Sequence, residues 1–166
     1  MAKVHLMIGI QGSGKSTFSS QLSKEQNIQI ISTDKVRQLH PDWKEELIWP
    51  EVYRLTADLI KAGEDVIFDA TNITVKVRDR FLTNVLAHFE GRDFNNLPFE
   101  HVAYYFNVDP QICFERVSKR NSDPNELYLP PEVVFSYHER LVEPTYEEPF
   151  SKIYHVVEGK LIEIKK

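Results

Sequence analysis

The chain has 166 residues, 42% apolar and 27% charged, which is enough for one folded unit with a real core and unlike the make-up of disordered segments. A formal net charge of −5 weighs against a broad polyanion-binding surface, and the single cysteine, Cys113, excludes an intrachain disulfide or a cysteine zinc site. No apolar run approaches bilayer length, so a cytoplasmic protein without membrane attachment is expected.

Without repeats, low-complexity stretches or linker-like segments, residues 1–166 read as a single domain. Val4 to Ile8 is a short apolar run that leads into a glycine-rich turn, and Lys15 to Lys24 has helix-compatible composition: strand, loop, helix. Further strands are expected at Ile28 to Ser32, Val66 to Asp69, Val102 to Val108 and Ile153 to Val157, separated by stretches long enough for helices. Ile48, Val52, Leu55 and Leu59 fall on one helical stripe that Gly63 ends, and helices are also expected over Thr74 to Phe89, Pro110 to Arg120 and Pro131 to Leu141. Asp109 precedes Pro110 as a cap. Strands alternating with helices predict an α/β fold of three layers, α/β/α, around a mostly parallel sheet of five strands. Asn121 to Pro130 has turn-forming residues and no periodicity, so a small helical lid is placed at about residues 116–131.

Gly9-Ile10-Gln11-Gly12-Ser13-Gly14-Lys15-Ser16 matches G-x-x-x-x-G-K-[ST] in full, between a predicted strand and a predicted helix, which is the context the motif requires. Glycines let backbone N–H groups turn toward phosphates, and the following helix adds its dipole. Gly9, Gly12, Ser13 and Gly14 therefore form a phosphate cradle, Lys15 is assigned to the β- and γ-phosphates, Ser16 to Mg²⁺ and Thr17 to the α-phosphate. Asp69 closes the third strand, where a second acidic residue approaches the metal; capping of the turn beside Thr71 and Asn72 is the alternative.

Asp34 follows the second strand, at the carboxyl edge where open α/β sheets bind ligands, and a carboxylate there suits a base that takes the proton of a hydroxyl acceptor. A helix N-cap is its other reading. Arg37, three residues on, is placed to hold an acceptor's phosphate or carboxylate. Arg116 and Arg120 share a helix face near the lid, where an arginine can neutralise a transferring phosphoryl group; a solvated face is the plainer alternative. Trp43, Trp49 and Tyr53 read as helix packing rather than as a stacking platform for bases. The six histidines show no metal-ligand spacing, so no metal beyond Mg²⁺ is expected.

Together these residues resemble the P-loop kinase family that includes the 5'-hydroxyl polynucleotide kinases and related small kinases. The match rests on Gly9 to Thr17, on Ser32-Thr33-Asp34 with Arg37, and on Phe68-Asp69-Ala70-Thr71-Asn72. It extends through Cys113, Arg116 and Arg120 to Glu143-Pro144-Thr145 and Glu147-Glu148-Pro149-Phe150. The resemblance implies an ATP- and Mg²⁺-dependent phosphotransferase. In it Asp34 is the base, Arg37 binds the acceptor phosphate, Arg120 meets the transferring phosphate and Arg116 lies nearer the nucleotide. It puts a polynucleotide 5'-hydroxyl first among acceptors. A small nucleoside, sugar or aminoacyl-type acceptor, a toxin-like kinase acting on a cell-wall precursor or translation factor, and an ATPase switch acting through a partner are the rivals.

Overall fold

The computed structural model describes all residues, Met1 to Lys166. In chain order the elements are β1 (Lys3–Gly9), α1 (Lys15–Gln26), β2 (Gln29–Ile31), α2 (Thr33–Leu39), a 3-10 turn (Glu45–Leu47), α3 (Ile48–Lys61), β3 (Val66–Phe68), α4 (Val75–Leu86), β4 (Glu100–Phe106), α5 (Pro110–Arg120), α6 (Val133–Arg140), β5 (Lys152–Val157) and β6 (Lys160–Ile164). They build one sheet in the order β2-β3-β1-β4-β5-β6, parallel throughout except for the β5–β6 hairpin. No helix is long and apolar enough to cross a membrane.

The sheet has six strands, not five. β6 returns from β5 through Glu158 and Gly159, both at positive φ (51° and 78°), which is the geometry a two-residue hairpin requires. Its Lys160, Leu161 and Ile162 are exposed, and as an edge strand β6 lacks the buried apolar run of β1, β3 and β4. β4 stops at Phe106 rather than Val108, because Asp109 caps α5 through Gln111 N and Pro110 opens it.

β1 is buried on both faces and lies at the centre of the sheet, between β3 and β4. Val4, Leu6 and Ile8 point into the larger core, with Phe68 stacked on Phe81 and α3 and α4 packed outside. Met7 points the other way, to Leu22 of α1 and to Tyr104 and Phe106. In α3 the buried face is Ile48, Val52, Tyr53, Thr56, Ala57 and Ile60; Leu55 and Leu59 flank it half-buried, so the stripe read from sequence is rotated slightly from the real one. Thr56 is accommodated because its hydroxyl donates to Val52 O.

The segment expected as a small helical lid has no helix of its own between α5 and α6. Pro124, Pro130 and Pro131 prevent one, and Asn121 closes the loop by donating to Leu129 O and accepting from Leu129 N. Leu127 and Tyr128 at its tip are exposed.

One buried group carries a stability prediction. His101 on β4 lies between Phe99 and Phe150, and neither ring nitrogen has a hydrogen-bond partner in the protein. Burial, with a smaller contribution from Arg78, pushes its pKa down to about 3. The unfolded chain therefore binds a proton on this residue below about pH 6.5 that the folded chain refuses until near its own pKa, so stability falls as pH drops through that window. His101→Phe is expected to remove the dependence: between pH 7 and 4.5, urea denaturation should show the wild type losing about 2 kcal/mol more than the variant.

Candidate active site

The site forms where the C-terminal ends of β1, β2 and β3 meet the starts of α1 and α2. β1 delivers Gly9 and the loop from Ile10 to Gly14; α1 begins at Lys15. Three helices of this chain are capped by a side chain at their first turn: α2 by Ser32, α4 by Thr74 and α5 by Asp109. α1, like α3 and α6, has no side-chain cap; it begins from Gly14, at φ 98°, with open space where a Cβ would stand. Its first N–H groups are left for an anion.

The loop is held shape-first by its neighbours. Arg116 of α5 donates from Nη1 to Gly12 O at 3.0 Å, which fixes that arginine on the loop backbone. A Cβ on Gly12 would lie 2.7 Å from Cys113 O, and Gly12 has φ of 77°, so α5 and the loop touch only because this residue has no side chain. Gly12→Ala is expected to separate them. A destabilisation of about 1–3 kcal/mol and weaker ATP binding should follow, read by thermal denaturation and nucleotide titration.

Lys15 is buried, and its Nζ donates to Ile10 O at 2.9 Å. Ile10 O also accepts from Ser13 N at 3.2 Å, so one carbonyl ties the cradle together. Burial draws the Lys15 ammonium down to about 8, with Asp69 working against that shift and Arg120 adding to it. Arg120 is thus within electrostatic reach of Lys15 from the exposed end of α5. Ser13 Oγ is buried and has no hydrogen-bond partner in the protein, so only the backbone of this residue is offered to a ligand.

Asp69 follows β3, and its backbone N–H donates to Ile31 O, holding it between β2 and β3. Ser16 Oγ donates to Asp69 Oδ2 at 3.1 Å. Burial raises the Asp69 pKa, with Lys15 and Ser16 opposing the rise. The carboxylate therefore faces the phosphate loop and does not cap the turn through Thr71 and Asn72. Those two residues work otherwise: Thr71 O accepts from Gly9 N at 2.9 Å, and Asn72 Nδ2 donates to Met7 O at 2.8 Å. A hydroxyl and a desolvated carboxylate side by side form the hard oxygen set that suits Mg²⁺, so the residues present fit that ion.

Ser32, not Asp34, caps α2, accepting from Lys35 N at 3.1 Å. The Asp34 side chain is 81% exposed and accepts one hydrogen bond, from Arg37 Nη1 to Oδ1 at 2.9 Å. It lies close enough to Asp69 to contribute to the raised pKa there. Arg37 also donates to Thr33 Oγ1 and to Glu45. Trp49 and Tyr53 pack on Phe68 and Phe81, while Trp43 stacks on His40 at 3.6 Å, so these aromatics do not form one platform.

Two supporting residues escape a reading of the sequence. Arg78 of α4, buried, forms a bidentate pair with buried Glu148 (2.8 and 2.9 Å) and donates to Asn72 O and Val142 O at 2.8 and 3.1 Å. It anchors the strand-end segment that carries Asp69. Glu45 is the second, reaching Arg37 from the turn before α3.

A central strand, a glycine-rich loop and an uncapped helix, with Lys15, Ser16 and Asp69 converging on that loop, define the P-loop class of α/β protein. The chain belongs to the family described as AAA domain, whose model matches residues 4–144. Solved structures share the fold. A fungal RNA kinase superposes with a TM-score of 0.67 at 17% identity, over 96% of this chain and 75% of that one. A chain of the Pnkp1/Rnl/Hen1 RNA repair complex gives 0.66 at 21%, over 84% of this chain and 44% of that one. A gluconokinase from Sinorhizobium meliloti 1021 gives 0.56 at 15%, over 94% and 83%. Among curated proteins none matches the sequence.

Proposed function

We propose that the protein is an ATP- and Mg²⁺-dependent phosphotransferase that moves the γ-phosphate to a hydroxyl acceptor. The observation that carries this reading is Asp34: an exposed carboxylate, free of capping duty, on the same sheet edge as Lys15, Ser16 and Asp69. A tightly packed Asp34 capping α2 would instead have favoured a nucleotide-binding switch, and Ser32 takes that capping role.

In the proposed reaction the cradle and Lys15 hold the β- and γ-phosphates, and Ser16 and Asp69 hold the ion. Mg²⁺, when bound, neutralises phosphate charge. Asp34 orients the acceptor hydroxyl and takes its proton as the new O–P bond forms; the bond from the γ-phosphorus to the β–γ bridging oxygen breaks, and ADP leaves. Arg120 reaches the transferring group and Arg116 braces the cradle. Arg37 fixes the Asp34 carboxylate and serves an acceptor's anion.

A polynucleotide 5'-hydroxyl is the first acceptor to consider, supported by the motif resemblance and by the shared fold with the fungal RNA kinase. A small hydroxyl metabolite is the second. It is favoured by the net charge of −5 and by the loop from Asn121 to Glu132, which contains Asp123, Glu126 and Glu132 and no basic residue.

Acceptor-stimulated ADP release tests the reading across 5'-hydroxyl RNA and DNA, nucleosides, sugars and amino alcohols. One class is expected to raise ADP release at least about tenfold over Mg²⁺-ATP alone, as a general base engaged only by acceptor would. A rate indifferent to every acceptor would favour the ATPase-switch reading.

A further inference from the structure

Arg37, the group assigned above to an acceptor's anion, already holds one. Glu45 lies eight residues on, in the 3-10 turn that precedes α3. Arg37 Nε donates to both Glu45 carboxylate oxygens at 3.1 Å, and Nη2 donates to Oε1. The remaining nitrogen, Nη1, donates to Asp34 Oδ1 and to Thr33 Oγ1 at 2.9 and 3.2 Å. Every nitrogen of the guanidinium is therefore partnered within the chain.

The planar fork of an arginine fits carboxylate and phosphate in the same way, so the two compete for it directly. Asp34 and Glu45 both pair with Arg37, so two carboxylates share one guanidinium. No other basic side chain pairs with Glu45.

We propose that Glu45 is a specificity-determining residue of the acceptor site. It is a resident carboxylate in the anion fork of Arg37, which an acceptor carrying a phosphate beside its hydroxyl must displace and an uncharged acceptor leaves in place. The inference rests on the reading of Arg37 as part of the acceptor site. It sets the acceptor class by a threshold, because Arg37 and Glu45 are 41% and 67% exposed and an exposed pair is held weakly. A phosphate of higher charge wins the fork at a several-fold cost in affinity, whereas a buried pair would exclude it.

The test is equilibrium binding, so it is independent of transfer. The full chain, saturated with Mg²⁺ and a non-hydrolysable ATP analogue to fill the cradle, is titrated with a nucleoside 3'-monophosphate and with the matching nucleoside. Glu45→Gln is expected to bind the monophosphate about three- to tenfold more tightly than wild type, as loss of an exposed competing pair predicts. The nucleoside should gain less than about twofold, since it brings no charge to the fork. The monophosphate gain should vanish when Arg37→Ala is added. Equal affinity in wild type and Glu45→Gln, or no measurable binding in either, overturns the proposal. A gain that persists without Arg37 also overturns it. Should the gain appear while no acceptor is ever phosphorylated, the kinase reading fails and the fork competition stands.

Discussion

Asp34→Asn is expected to lower phosphoryl transfer by about 10²- to 10⁴-fold, the range a positioned general base supplies, with ATP affinity within about threefold of wild type. The structure gives this substitution unusually few other consequences. Ser32 caps α2, so the helix start does not depend on residue 34. The side chain is exposed, so no packing is disturbed, and an asparagine oxygen can still accept from Arg37. What is lost is the capacity to take a proton, together with the carboxylate charge that pairs with Arg37. Rapid-quench transfer measured beside nucleotide titration separates the two quantities. A parallel loss of ATP binding would mean that residue 34 shapes the cradle.

Arg78→Met is expected to destabilise the fold by about 3–5 kcal/mol, the usual cost of stranding one member of a buried ion pair. Arg78 and Glu148 are only 2% and 9% exposed. Removing the guanidinium leaves the Glu148 carboxylate without its bidentate partner and takes a donor from Asn72 O and Val142 O. Replacing both residues, Arg78→Met with Glu148→Leu, should recover much of the loss, because the stranded charge goes with its partner. The pair also bears on the site. Asn72, braced by Arg78, donates to Met7 O, and Thr71 O accepts from Gly9 N, so β1 and the segment after Asp69 are locked together. Urea denaturation of the three variants measures this directly; a single-variant loss below about 1 kcal/mol would place the pair among contacts that contribute little.

The elements that position the cradle were legible because their signals are local. A strand, three glycines in register and Lys15-Ser16 occur within fourteen consecutive residues, and α5 is bounded at Pro110 and Arg120 as its cap and composition predict. Asp69 and Asp34 were legible as positions at strand ends. Their partners were not, because Ser16 and Asp69 are separated by 53 residues and meet only through the β3–β1 register. Arg78 and Glu148 are 70 apart, and in Val75 to Leu86 the arginine reads like any charged residue on an amphipathic helix. Glu45 was hidden for a different reason: it lies in a stretch of exposed residues from Pro41 to Leu47 whose pattern gives no direction to any one of them. β6 escaped because its exposed face and terminal lysines mask a strand that the Glu158-Gly159 turn alone announces.

The most direct test of the proposed transfer is the fate of the γ-phosphate. Wild-type protein is incubated with γ-labelled ATP, Mg²⁺ and the acceptor panel, and the label is divided between phosphorylated acceptor and free phosphate. A phosphotransferase working through Asp34 puts most of the label on one acceptor class, as a phosphate ester of its hydroxyl, and leaves little as free phosphate. Label found only as free phosphate, at a rate shared by wild type and Asp34→Asn, would contradict it and identify the protein as a nucleotide-hydrolysing switch.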